Sequence, residues 1–292
     1  MEKRKRRWGD RKDGRRLRTL HPMSYVAPYI MKDRSGAQNL FADSFDISDA
    51  ERYIRQKREE GYLDFGMLHV IIAAYLRVAA EKPGINRFVS GQRIFARNDV
   101  EVCMVIKKEM TAESEETCIK ATFDRSETAI EVYEKFSKLI EEYRTNGGDD
   151  SFEKTVGTLI KFPGLFLRMA VRVLKILDYF GRLPASLLKV SPFHGSLFLT
   201  SMGSLGIPPV HHHLYNFGNL PVFLAYGAKY NKLVTDRSGN TVNCRLMDFT
   251  VSTDDRICDG FYYASCIKQF KRYIKKPWVL DEKPKEIIDD VD

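Results

Sequence analysis

Val251-Ser252-Thr253-Asp254-Asp255-Arg256-Ile257-Cys258-Asp259-Gly260, followed by a helix-patterned run from Phe261 to Lys276, is the stretch on which the reading of this chain turns. Its first half continues a strand pattern over residues 243–253. Asp259 stands where the helix begins, where a carboxylate suits the free amides of the first turn, and Gly260 admits a tight turn. Adjacent side chains on a strand point to opposite faces, so Asp254 and Asp255 make a poor pair for sharing a proton. The stretch thus offers two carboxylates on opposite sides of a strand end, just before a helix.

Working outward, residues 196–201 and 221–230 read as further strands. Residues 40–47 read as an early strand, leading into a helix opened by Ser48, with Glu51 three positions on as a capping-box partner. A second helix over 65–81 is apolar on most of its surface and should be buried on more than one side. Strand candidates follow at 87–96, 100–107 and 118–123, with an acidic loop around 113–116, and then an amphipathic helix over 126–143. The Asn146-Gly147-Gly148-Asp149-Asp150 cluster breaks the chain. Residues 152–190 form an unusual helical insertion. Within it Arg168, Arg172 and Lys175 share one helical face opposite a wide apolar one, with charges too frequent for a membrane span. That helix fits an interfacial membrane segment, or packing on its own domain or on a neighbouring subunit.

The chain of 292 residues, 43% apolar, is long enough for a large core. Its net charge of +8 is local: residues 1–18 hold ten Lys or Arg against Glu2, Asp10 and Asp13. This basic N-terminal arm, set off from a domain over 19–292, suits an anionic surface or a partner, and one of its arginines can enter the fold. With no interleaved aromatics beyond Trp8 it makes no specific nucleic-acid surface. No apolar run follows the basic start, so a cytoplasmic protein is expected. Five cysteines without a CxxC pair suggest neither a disulfide framework nor a metal site.

Over roughly residues 38–280 the blocks resemble, in order, the superfamily of chloramphenicol acetyltransferase and the dihydrolipoyl acyltransferase catalytic domains of 2-oxoacid dehydrogenase complexes. Residues 197–206, Leu-Phe-Leu-Thr-Ser-Met-Gly-Ser-Leu-Gly, resemble the family's Phe-Thr-Ile-Ser-Asn/Ser-Leu-Gly block. The opening motif resembles Asp-His-Arg-x-x-Asp-Gly, with Asp255 where the family has its catalytic histidine. The resemblance implies an α+β fold, a chloramphenicol acetyltransferase-like α/β sandwich with a mixed sheet, forming trimers with sites between subunits. It implies coenzyme A or acyl-CoA as a substrate, a small-molecule acyl acceptor and no metal. Thr200, or its neighbour Ser201, would donate a hydrogen bond to the oxyanion. Asp259 would pair with an arginine, for which Arg16, Arg18 and Arg34 are candidates that the motif does not decide between. No lipoyl-type Asp-Lys-Ala hairpin precedes the domain, so no lipoyl group is expected on this chain.

The substitution at Asp255 weakens the implied chemistry. Against a thiol, a carboxylate base is mismatched by about 4.6 pKa units and histidine by about 2, a difference of about 3.5 kcal/mol or a few hundredfold in rate. Aspartate is also shorter. His212 and His213, in the loop His211-His212-His213, are candidate replacement bases; His69 and His194 read as packing residues. Three functions remain open: a coenzyme A-dependent acyltransferase, a catalytically inactive scaffold on the same fold, or a peripheral membrane protein using the basic arm and the 165–177 helix.

Overall fold

The computed structural model describes residues 5–107, 116–146, 157, 163–235 and 238–292. The residues expected to form the acidic loop at 113–115, the chain break at 147–150, and positions 152–156 and 158–162 of the insertion lie outside them.

Six strands form one mixed sheet: β2 (Gln38–Asp46), β5 (Val100–Lys107), β6 (Glu116–Phe123), β7 (Leu197–Ser201), β8 (Val222–Thr235) and β9 (Thr241–Asp254). Their order is β2-β9-β8-β7-β5-β6. The β5–β7 and β7–β8 pairs are parallel and the other three are antiparallel.

One face of the sheet carries the main core, with Leu197, Leu199, Val222, Leu224, Met247, Phe249 and Val251 packed against helices α2 (Ser48–Glu59), α3 (Met67–Glu81), α4 (Ala129–Asn146) and α7 (Gly260–Lys275). The apolar sequence of α3 leads to the expected burial, with Val70, Ile71, Ile72, Leu76 and Ala79 all sealed. Alternation along the strands sends Phe198 and Phe223 to the opposite face, where they join Cys103, Leu214 and Leu220 in a smaller cluster. The loop over 210–220 covers that cluster. Gly218 makes the return possible: it has φ +80°, and a Cβ there would lie 2.0 Å from the Phe193 carbonyl oxygen.

Three expectations change. The 87–96 stretch is a hairpin, β3 (Arg87–Ser90) and β4 (Arg93–Arg97), turning at Gly91 and Gln92, both with positive φ. Second, Ser48 does not cap α2; its amide and hydroxyl both donate to Asp46 Oδ1. Third, the basic segment is an arm only at its beginning. Arg11 is buried, and β1 (Gly14–Arg16) pairs with β4 to complete a three-stranded sheet. Leu17 enters the main core.

The insertion supplies α5 (Gly164–Tyr179) and α6 (Ala185–Val190), following α1 (Pro22–Ile30) and the helices above in chain order. A buried ion cluster ties α5 to the N-terminal segment. Arg11 donates to Asp178 and to Asp13, which also accepts from Asn219 and lies beside Arg97. Burial opposes ionisation of Asp178, but His194 and Arg11 hold its carboxyl down at about 2.

Candidate functional site

Strand β9 ends at Asp254, so Asp255 lies in the turn beyond it and the two neighbouring carboxylates part where the strand stops. Asp254 is fully buried. Arg256 donates to it through Nε and NH2, both at 2.7 Å, and Arg34 Nε lies 3.3 Å away. The remaining guanidinium donors of Arg256 reach the carbonyls of Met31 and Lys32, while Arg34 reaches those of Tyr215 and Val89. Tyr263 on α7 donates to the Asp254 carbonyl at 2.8 Å. Burial draws the Arg34 guanidinium below the ordinary arginine range, and Asp254 opposes that shift. The three side chains therefore lock the segment just after α1, strand β3, the loop at Tyr215 and the end of β9 to one another.

Asp255 has left the strand and is half-buried. Its amide donates to the Ala37 carbonyl, and its Oδ1 accepts from Asn39 Nδ2 at 2.5 Å, leaving Oδ2 without a partner among the described residues. Asn39 is exposed on β2, paired in register with Thr253. Asp259 caps α7 by accepting from the Tyr262 amide at 2.8 Å. No arginine among the described residues pairs with it: of the candidates, Arg34 pairs with Asp254 instead, and Arg16 and Arg18 lie in or beside β1. The arginine partnership implied for Asp259 thus falls on Asp254, which is the carboxylate that burial deprives of water.

Thr200 and Ser201 stand on opposite faces of β7. Thr200 alternates with Leu199 onto the face of Phe198 and Phe223, in register with Ala225 and Thr250. Ser201 lines a cavity of about 1020 Å³ on the helical side, together with Leu68, His69, Tyr133, Tyr226 and Lys229. The two hydroxyls therefore serve different spaces. Thr200 is also far from Asp255 in the same chain. Two strand spacings and five residues along β9 separate them, roughly 19 Å at about 4.8 Å per strand and 3.3 Å per residue.

His212 stacks face to face on Phe223, with centroids 3.8 Å apart. Its Nδ1 donates to the His213 carbonyl at 2.8 Å, which leaves Nε2 as the acceptor nitrogen of the neutral ring. Burial shifts His212 downward, favouring that neutral form. His213 is exposed and packs edgewise on Tyr215. Neither ring has a recorded contact with Asp255 in the same chain. His69 is buried against Phe65 and Tyr133, accepts from the Gly66 amide and is pushed down to about 4 by burial. His194 lies between Ser191 Oγ, 2.8 Å away, and Asp178, 3.5 Å away. Ser191 is sealed at 1% exposure, so this trio is a packing element and not a nucleophile with its base.

Sequence reading did not find Asn39, or the pairing of Arg34 and Arg256 with Asp254. The i, i+2 spacing of Asp254 and Arg256 was the available signal for half of that pairing. Among the described residues no group of three or more His, Cys, Asp or Glu side chains is placed to hold a metal ion.

No protein-family model and no curated protein matches the sequence. Solved structures match its fold. A probable dihydrolipoamide acetyltransferase from Listeria monocytogenes superimposes with TM-score 0.58 at 16% identity, covering 89% of this chain and 95% of that one. The dihydrolipoamide acetyltransferase of Azotobacter vinelandii gives TM-score 0.58 at 12% identity, covering 88% of each. A chloramphenicol acetyltransferase gives TM-score 0.50 at 12% identity, covering 86% of this chain and 94% of that one. The chain has the mixed-sheet acyltransferase fold that these proteins share.

Proposed function

We propose that this chain transfers an acyl group between coenzyme A and a thiol or hydroxyl acceptor, at a site assembled between copies of the chain in a homotrimer. One observation carries the reading. Thr200 and Asp255, which the resemblance assigns to one reaction, lie at different ends of the sheet, roughly 19 Å apart. They act together only if different copies supply them.

In this reading the Thr200 hydroxyl donates to the oxyanion of the tetrahedral intermediate, a contact worth about 2.7–4 kcal/mol in a water-poor site. Asp255 accepts the acceptor's proton at Oδ2, since Asn39 occupies Oδ1. Arg34 and Arg256 are positioning residues: through Asp254 they fix the backbone from which Asp255 projects. The Azotobacter vinelandii enzyme is the subject of a study of the catalytic roles of a serine, a histidine and an asparagine, the last two four positions apart. Asp255 and Asp259 have the same spacing here. Ser201 serves the cavity on the other face. That cavity's cations Lys229 and Arg245 already share Glu51, so its hydroxyls and apolar walls suit a pantetheine chain better than phosphates.

A second reading has its own support. A carboxylate shorter than histidine, tied at one oxygen by Asn39, suits a fold kept as a scaffold after the chemistry was lost. Free-thiol release from acetyl-, propionyl- and butyryl-CoA, with dihydrolipoamide and small alcohols as acceptors, separates the two. Turnover by the wild type, lost in Asp255→Ala, supports the enzyme with Asp255 as base. Turnover lost instead in His212→Ala or His213→Ala relocates the base to the loop. Silence in the wild type with activity in Asp255→His establishes the scaffold.

A further inference from the structure

Helix α5 is an amphipathic element that the acyltransfer reading leaves unused. Its sequence, Gly164–Tyr179, contains ten aliphatic or aromatic side chains and three cations, and its lone carboxylate, Asp178, is buried against Arg11. The structure divides the helix into three strips. Leu167, Ala170, Leu174 and Leu177 are half-buried and, with Asp178, hold the helix to the body. Leu165, Met169, Val173 and Ile176, continued by Phe180 just beyond the helix, are 76%, 56%, 48%, 57% and 68% exposed. At 100° per residue these five fall within an arc of about 80°. Arg168, Arg172 and Lys175 fill the adjoining arc of about 60°, all exposed and without an ion pair among the described residues.

We propose that α5 is an interfacial helix that seats this protein on an anionic phospholipid bilayer. Its apolar arc would lie in the acyl boundary, with Arg168, Arg172 and Lys175 against lipid phosphates. Charge decides for this occupant. The outward surface of α5 presents three unpaired cations and no carboxylate beside a continuous apolar strip. A protein partner would have to place carboxylates in helical register next to a matching apolar groove. A bilayer presents hydrocarbon and negative charge side by side at every position, which is the pattern interfacial helices use. A second copy is disfavoured as occupant of this face, because it would set the same three cations, Arg168, Arg172 and Lys175, against their own kind. No helix among the described residues is long and apolar enough to cross a membrane, which agrees with a helix lying in the interface.

The test is flotation of the full chain with vesicles of equal phosphatidylglycerol and phosphatidylcholine, compared with phosphatidylcholine alone, at 0.1 M salt. The protein should float with the anionic vesicles only, and 0.5 M salt should weaken that binding. Arg168→Gln/Arg172→Gln/Lys175→Gln should lower partitioning about a hundredfold, at about fivefold per cation. Met169→Asp/Ile176→Asp should lower it at least tenfold. Both variants change only exposed side chains, so unchanged thermal unfolding shows that they fold. As an independent readout, Ile176→Trp should shift its emission to the blue on vesicle addition and be quenched by bromine-labelled acyl chains. The proposal is overturned if the wild type stays out of the floating fraction. It is equally overturned if both variants bind like wild type, which would move the contact to cations such as Lys5 and Arg6. A solution mass that falls in Met169→Asp/Ile176→Asp would assign the face to a second copy and refute the bilayer.

Discussion

Asp254 and Asp255 are neighbours in sequence, yet they belong to regions built on different principles. Asp254 sits in a dry frame, where two guanidiniums and a tyrosine hydroxyl tie the segment after α1, β3, the loop at Tyr215, the end of β9 and α7 together. Asp255 sits at an open edge with a single side-chain partner, Asn39. The frame cannot change without leaving a buried charge unpaired, whereas the edge can exchange its side chain at little cost to the fold.

Removing the frame carboxylate should have the largest effect. Asp254→Ala strands Arg34 and Arg256 in the interior and is expected to cost about 3–5 kcal/mol, read as a lowered denaturant midpoint. A loss no larger than that of Asp255→Ala would erase the contrast between the two positions.

Buried titratable groups elsewhere in the interior should give the fold a pH signature. Burial holds His69 at about 4 in the folded chain, below its unfolded value near 6.5. The unfolded chain therefore binds more protons between those values, and the His69 contribution, complete above pH 6.5, is lost as pH falls towards 4. The loss at pH 4.5 should be about 2.5 kcal/mol, checked by urea unfolding at pH 7 and 4.5. His69→Gln should flatten that part of the profile; an unchanged slope would place the titration elsewhere. Asp178, held at about 2, extends the same trend to lower pH: its contribution is present above about 4 and is lost as pH falls through 2.

Smaller effects belong to the helix start and the open edge. Asp259→Ala removes the α7 cap and should cost about 1 kcal/mol in thermal or denaturant unfolding, with Asp259→Asn retaining most of it. Equal loss in both would mean that its charge, and not its capping oxygen, matters. Asp255→Ala should change stability by no more than about 0.5 kcal/mol. A cost of several kcal/mol there would show that Asp255 belongs to the frame after all.

Much of this was legible before folding was seen. The burial of α3, the strand character of 243–254 and the helix after Asp259-Gly260 follow from local patterns that tertiary contacts reinforce. The separation of Asp254 from Asp255 comes from the end of β9 between them, not from alternation along a strand that holds both. What the sequence hid was pairing across distance. Arg34 is 220 residues from Asp254, and Arg11 is 167 from Asp178, so neither ion pair leaves a local trace. For the same reason residues 11–17 belong, in the sequence, to a basic arm over 1–18 from which one arginine can enter the fold, and the carboxylate partners of Arg11 come into reach only after the chain closes. The hydroxyls at Thr200 and Ser201 were taken together, although strand alternation alone would have separated them.

The most direct test of a site shared between copies is to mix two disabled variants, Thr200→Ala and Asp255→Ala, denature and refold them together, and measure thiol release from acetyl-CoA. If each site takes Thr200 from one copy and Asp255 from another, the separate variants are nearly inactive, and an equal mixture recovers about one quarter of wild-type turnover by random assembly. A mixture as inactive as its components, beside an active wild type, would put both groups in one chain and contradict the two-copy site.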